Sequence, residues 1–441
     1  MVLEAADAGT RSYARYRRYL IALLLVVCLL NYLDRQIIVI LSEPIKHEFK
    51  LKDWQLGAVT GLSFALLYSV LGIPVARFAD KGRRAFVVSL SLTVWSVFTI
   101  VCGLAHNFLQ LALARMFVGI GESGGSAPAQ ALVVEYTPKE HRASAIAIYS
   151  TGIPLGTLFG LLLGGLAADA YGWRAAFFIA GAPGLLLAAL AAITLREPPQ
   201  PKHVLESATH RGAITEMFSN RSFVLVLIGG SFVSFLNYGQ GTFFPSFLLR
   251  DHGLALDGLA RSFALSTGIH MGRIGFLGTT LGIISGSAGI AGNLAGGFLT
   301  DRLARTDIRA YVDVQAIAIV LRVPAFILAM LAPNVSTVLA LLGVQLFFSG
   351  MAGAPSYASI QTLVRPANRS TAAAVFLFGL NAFGLGFGPL LVGLLSDSLA
   401  TGGFGSAEGL RWALLFSQSL MLVPIACFFL ARRTFHIDAM S

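Results

Sequence analysis

Charge is scarce in this chain of 441 residues. Asp, Glu, Lys and Arg make up 12% of it, against about 25% in ordinary soluble domains. So little charge cannot solvate the surface of a soluble globule, and 56% hydrophobic residues exclude disorder. Cysteine is scarce as well. Cys28, Cys102 and Cys427 all lie inside apolar runs, so a loop disulfide is excluded and the redox compartment cannot be read from them. No Gly-x-x-x-x-Gly-Lys phosphate loop occurs, which excludes ATP as a driving force. No Cys/His cluster has metal-ligand spacing either. Neither a cofactor nor a metal is expected.

Long apolar runs are abundant. The mean hydropathy is +0.74, and runs such as Tyr19–Leu33, Phe86–Leu104 and Ala175–Leu195 have the length and low charge of bilayer-spanning helices. Twelve spans are expected, near 19–42, 54–78, 84–104, 107–136, 142–168, 174–195, 222–249, 273–300, 310–331, 336–364, 370–396 and 409–431. They are numbered 1 to 12 below. The fold class is therefore an all-α, multi-pass membrane protein. The stretch Met1–Arg18 is polar and basic without a small-residue cleavage site before Tyr19, so span 1 reads as a retained helix and not a signal peptide.

An even number of spans puts both termini on one side. With charges at span ends counted in the adjoining loop, 21 of the 32 Lys and Arg residues fall on the side of the termini, 8 on the opposite side, and Arg35, Arg115 and Arg322 remain inside spans. By the positive-inside rule the termini are cytoplasmic. The net charge of +10 then reflects basic loops facing anionic lipid, not a nucleic-acid partner. The Pro-, His- and charge-rich segment 196–221 divides the chain into bundles at 1–195 and 222–441. Within the halves, "ARFAD" ends span 2 at Asp80 and "GGLAAD" ends span 5 at Asp169. "GGFLTD" ends span 8 at Asp301, and "VGLLSD" ends span 11 at Asp397. An Asp therefore closes the middle helix of every three-helix unit, at the termini side in spans 2 and 8 and at the far side in spans 5 and 11. Each half reads as a 3+3 inverted repeat, the construction of secondary transporters with a midplane site.

Ionisable residues inside spans carry the strongest chemical signal. Asp34 and Arg35 lie in span 1, Arg115 and Glu122 in span 4, and Arg322 in span 9. A charge at that depth costs from about 3 to more than 10 kcal/mol and persists only beside a partner or a wet cavity. Arg115 and Glu122 are seven residues apart and share a helix face, whereas neighbours Asp34 and Arg35 point about 100° apart. The charges of spans 1 and 4 sum to zero. They form either a static buried quartet or a proton-coupled switch. In the switch, Asp34 and Glu122 exchange protons as access alternates, which frees Arg35 or Arg115 for an anionic substrate. Arg322 has no carboxylate in its span and leaves the interior net positive, which suits a phosphate or carboxylate headgroup. Asn31, Tyr32, Asn237, Tyr238, Gln240, Gln345 and Asn381 are further candidate site polars, each equally readable as a helix–helix hydrogen bond.

Glycine stripes form a third signal. Gly152, Gly156, Gly160 and Gly164 recur every four residues in span 5, Gly278 and Gly282 (with Gly286) in span 8, and Gly384 and Gly388 in span 11. Such stripes permit close backbone approach. Spans 5 and 8 are expected to cross where the halves meet, with 2 and 11 as the symmetric pair. The run Gly121-Glu122-Ser123-Gly124-Gly125 matches a Gly-x-Ser-x-Gly-type serine pattern, but that elbow needs a strand–turn–helix context, and all eight His residues fall in loops or at span edges. Catalysis is not expected.

"ARFADKGRR" after span 2, "RMFVGIGES" in span 4 and "GWRAAFF" opening span 6 resemble signatures of the major facilitator superfamily. The resemblance covers essentially the whole chain. "NYLDR" on span 1 with "DKGRR" in the next loop resembles its spinster-like lipid transporters. This implies two pseudo-symmetric six-helix bundles and a cytoplasmic latch at Asp80, Arg83 and Arg84, with Asp301 and Arg302 as counterpart. It also implies alternating access driven by a proton gradient, and an amphipathic, anionic-headed substrate such as a lysophospholipid or sphingoid phosphate. A proton-coupled symporter of small organic anions or a drug-efflux antiporter is the alternative. A receptor or scaffold would account for the hydropathy but not for the repeat and buried charges. The expected setting is a bacterial inner membrane, as a monomer whose partners are its substrate and membrane lipid.

Overall fold

The computed structural model describes residues 2–79, 81–197, 210–365 and 368–439. All twelve expected intervals are helical, and no strand occurs among the described residues. Ten helical runs are long and apolar enough to cross a bilayer. Span 4 falls outside that set because a turn at Gly124–Gly125 divides it into Phe108–Ser123 and Ser126–Glu135. The last run, Thr371–Asp438, contains spans 11 and 12. The chain reverses between them at Gly403 (φ 107°) and Gly405 (φ 77°), a backbone region that side-chain-bearing residues avoid. Three features were not expected: a helix Ser42–Phe49 after span 1, a helix Gly253–Thr267 between spans 7 and 8, and a helix His210–Ser219 in the linker. Each is too short and too polar for a hydropathy reading to register.

The packing of spans 5, 8, 2 and 11 sets the shape of the molecule. A Cβ built on Gly278 of span 8 would sit 2.2 Å from the Leu161 carbonyl of span 5, and one on Gly282 would sit 2.9 Å from the Leu158 carbonyl. At Gly286 the nearest atom is 3.9 Å away, and at Gly289 nothing lies within 4 Å. Span 2 repeats this against span 11. The Gly57 position is 2.2 Å from the Pro389 carbonyl, the Gly61 position is 2.5 Å from the Leu385 carbonyl, and Gly72 meets nothing within 4 Å. Both interlocked pairs are thus tight at the end away from the termini and diverge toward the termini. Spans 2 and 11 each carry a widened π-helical turn at this crossing, Ala58–Leu62 and Gly379–Leu385. Such turns cost helical regularity and concentrate at functional sites.

The crossings 5–8 and 2–11 match the expected pairs, but the assignment of the glycines needs correction. Gly152, Gly156 and Gly160 pack on the backbone of span 1 at Leu25, Leu29 and Leu33, and Gly164 packs on Ile37 and Ile40. Gly384 and Gly388 pack on Ser234 and Phe235 of span 7. Those stripes hold each half together internally. The seam between the halves uses Gly278 and Gly282 together with Gly57, Gly61 and Gly393.

Gly57→Leu should jam this seam. Overpacking of this kind costs about 1–3 kcal/mol, charged only to the state in which the far end is closed. Spin-label distances across the far end should lengthen, and an unchanged distribution would refute the assignment.

Candidate functional site

Span 1 presents consecutive charges to span 4, and the helical twist sends them to different partners. The Arg115 guanidinium donates to Asp34 Oδ2 at 3.1 Å, while Thr99 of span 3 donates to Asp34 Oδ1 at 2.8 Å. Arg115 and Asp34 are 1% and 3% exposed, so this pair is sealed. The second pair is placed differently. Arg35 Nε donates to Glu122 Oε2 at 2.7 Å, and Arg35 retains 10% of its side-chain exposure while Glu122 retains none. The Arg35 guanidinium lies 4.8 Å from the ring centroids of Phe64 and Tyr68 and 5.3 Å from that of Tyr32. Tyr238, from the other half, also lies beside it. Glu122 Oε1 and both amide atoms of Asn31 are buried without a protein partner.

Arg322 occupies the C-terminal half. It is 1% exposed and, among the described residues, held by neutral oxygens alone, Asn237 Oδ1 at 2.5 Å and Gln240 Oε1 at 3.0 Å. Ser349 donates to the same Asn237 oxygen at 3.0 Å, and the Gln240 amide donates to Gln418 at 2.7 Å. Half-buried Asn237 is therefore the exposed edge of a polar cluster built around an uncompensated cation. Gln345 is buried with Oε1 unpartnered. Asn381 donates to its own helix at Leu377 and joins neither cluster.

At the far end the two halves are locked by charge. Arg250, at the end of span 7, donates to Glu43 Oε1 at 2.6 Å and to Asp53 Oδ1 at 2.7 Å. Lys46 donates to Asp53 Oδ1 at 2.5 Å. Asp397, ending span 11, accepts the backbone N–H groups of Asp53 (3.0 Å) and Trp54 (2.8 Å) at the start of span 2. Asp169, ending span 5, accepts the Gly275 N–H at the start of span 8, 2.6 Å away. Two repeat-ending aspartates thus cap helix N-termini in the opposite half, where the first N–H groups lack intrahelical partners and the helix dipole favours an anion. Outside the spans at this end, the Trp173 indole donates to Glu48 and holds its carboxyl below the usual range, and burial pushes the His252 imidazole down.

A Major Facilitator Superfamily model matches residues 24–321. An MFS-type efflux pump of Mycolicibacterium smegmatis is 35% identical over 95% of this chain and 93% of its own. The sphingosine-1-phosphate transporter SPNS2 of Danio rerio is 26% identical over 93% of this chain and 82% of its own. A solved bacterial homologue of the lysosomal transporter Spinster, in an inward-facing and unoccupied conformation, superposes with a TM-score of 0.83 at 29% identity, covering 96% of this chain and 98% of that one. The chain belongs to the Major Facilitator Superfamily. Its solved relative is spinster-like, and the family is one of transporters, not enzymes.

As a facilitator, the chain uses the Gly121–Gly125 run for packing. A Cβ at Gly121 would strike the Trp95 backbone at 2.5 Å, and the Ser123 hydroxyl donates to Ile120. The expected latch lies at the open end. Asp80 falls outside the described residues. Arg84 pairs with Glu135 of its own half, Arg83 lies over the Phe78 ring at 5.5 Å, and Asp301 and Arg302 are exposed. The Arg83 and Arg84 contacts named here lie within the N-terminal half. Sequence reading missed Glu43, Asp53 and Arg250, because charges at span ends are ordinary there. It found Asp169 and Asp397 as repeat markers without finding their role.

The sealed and open pairs should respond differently to truncation. Arg115→Ala leaves Asp34 buried and unpaired, a loss of about 3–5 kcal/mol, and should lower the thermal midpoint in detergent more than Arg35→Ala, which removes a partly exposed side chain and admits water to Glu122. Equal losses would mean that both pairs are structural.

Proposed function

We propose that this facilitator moves an amphipathic, anionic-headed substrate, of the lysophospholipid or sphingoid-phosphate type, by proton-coupled alternating access. The observation that carries the reading is Arg322, a fully buried guanidinium answered only by neutral oxygens. An isolated buried cation is costly, and an arriving phosphate or carboxylate would supply the missing charge through forked, charge-assisted bonds. Arg35 adds a second guanidinium within an aromatic sleeve, suited to a headgroup joined to an apolar chain. Glu122 is the coupling carboxylate. Protonating it removes the partner of Arg35, and re-ionising it restores the pair. The Asp34–Arg115 pair positions spans 1 and 4 for that exchange.

The charge distribution supports cytoplasmic termini in a bacterial inner membrane. The open end then faces the cytoplasm, as in the inward-facing spinster homologue. A second reading, proton-driven drug efflux, is supported by the Mycolicibacterium relative.

Counterflow in proteoliposomes with lysophospholipids, sugar acids and cationic drugs at two pH values separates these readings. Lysolipid exchange is expected, reduced at least ten-fold by Arg322→Gln, the loss of one charge-assisted contact being about 1.5–3 kcal/mol. Glu122→Gln should retain exchange but lose uphill transport driven by a pH gradient. Exchange of cationic drugs alone would overturn the anionic assignment. Gradient-driven transport by Glu122→Gln would overturn the coupling role.

A further inference from the structure

We propose that the groove between the start of span 1 and the turn joining spans 4 and 5 binds the phosphate headgroup of an anionic phospholipid. The groove, of about 240 Å³, is lined by Arg17, Arg18, His141 and Ser144 over an aliphatic floor that includes Ile21 and Ile148. Arg17 is half-buried, and Arg18, His141 and Ser144 are exposed. Neither arginine has an ion-pair partner among the described residues. Arg142 donates through Nε to the carbonyl of Thr137, a further lining residue, at 3.2 Å. The turn's single acid, Glu140, is flanked by Lys139 and Arg142, so the rim stays net positive.

Depth in the membrane is set by aromatic neighbours. Tyr13 and Tyr16 gather on Tyr136 with ring centroids 6.1 and 5.2 Å away, and the Tyr19 hydroxyl meets Thr194 at 2.6 Å. A tyrosine cluster of this kind marks the headgroup level. The arginines therefore stand at phosphate height, while Ile148, 49% exposed, continues the floor toward the acyl region. Guanidiniums without an ion pair at phosphate depth above an apolar floor match a lipid phosphate with its chains, in the manner of basic interhelical pockets that hold anionic headgroups. A free anion would use the rim and leave the floor bare. No residue of the Arg35 or Arg322 clusters lines the groove, so the site stands apart from the proposed transport pathway.

Native mass spectrometry of the full-length protein in detergent tests the site, with phosphatidylglycerol, phosphatidylcholine and inorganic phosphate as separate probes. Phosphatidylglycerol should bind about ten-fold or more tightly than phosphatidylcholine. Arg17→Gln/Arg18→Gln should erase most of that preference. Arg305→Gln/Arg433→Gln, which removes the same charge from the same end of the other half, should keep it. Ile148→Glu, an exposed change that puts a carboxylate in the floor, should also weaken phosphatidylglycerol binding and provides a second test should the double variant fail to fold. Equal loss in both double variants would reduce the effect to general surface charge. An unchanged preference in Arg17→Gln/Arg18→Gln and Ile148→Glu, or phosphate competing as well as lipid, would overturn the proposal.

Discussion

A formal charge within a bilayer-spanning bundle must find a counter-charge, a set of dipoles or water, and much of this molecule follows from how its two halves meet that demand. The N-terminal half answers with carboxylates, giving two ion pairs between spans 1 and 4. The C-terminal half answers Arg322 with amide oxygens. A carboxylate can be neutralised by a proton, whereas an amide cannot. The second half keeps a fixed positive centre. Within the quartet the two pairs differ again. Asp34–Arg115 is sealed by Thr99 and has the geometry of a strut. Arg35–Glu122 keeps some exposure and stands beside Tyr238 of the opposite half.

The far end shows how that relation is held. Each half contributes one repeat-ending aspartate and one helix N-terminus, so Asp169 on span 8 and Asp397 on span 2 form a pseudo-two-fold pair of caps. An anion at a helix N-terminus is worth about 0.3–1 kcal/mol when exposed and up to about 2 when partly buried. Two caps, with Arg250 bridging Glu43 and Asp53, amount to a few kcal/mol. That is the scale on which a substrate or a proton can shift a two-state equilibrium. Stronger locks would freeze the molecule, and weaker ones would let both ends gape.

The sequence made the frame legible because desolvation dominates it. Apolar run length fixes the spans, and the cost of burial makes Asp34, Arg35, Arg115, Glu122 and Arg322 conspicuous. It also made the inverted repeats legible through the four aspartates. It could not assign partners, since Asp34 and Arg35 are adjacent and only the three-dimensional twist decides which meets Arg115. The glycine stripes misled for a related reason. A stripe announces close approach without naming the neighbour, and the regular spacing of Gly152 to Gly164 serves span 1, within the same half. The less regular Gly57, Gly61 and Gly393 serve the seam. Short amphipathic elements such as Ser42–Phe49 and Gly253–Thr267 escaped because their stability comes from tertiary contacts.

The geometry differs at the two ends of the molecule. Spans 2, 5, 8 and 11 are continuous helices gripped near one end, where Gly57 and Gly278 bring backbones to the limit of contact, and a helix so gripped carries its other end away. The aspartates that end spans 5 and 11 reach helix N-termini only at the closed end. In sequence, Asp80 and Asp301 occupy the matching positions at the ends of spans 2 and 8. Opening of the far end would have to part Asp169 from Gly275 and Asp397 from Asp53 and Trp54. The aspartates that end spans 5 and 11 are thus one symmetric pair of caps, made across the halves in this conformation.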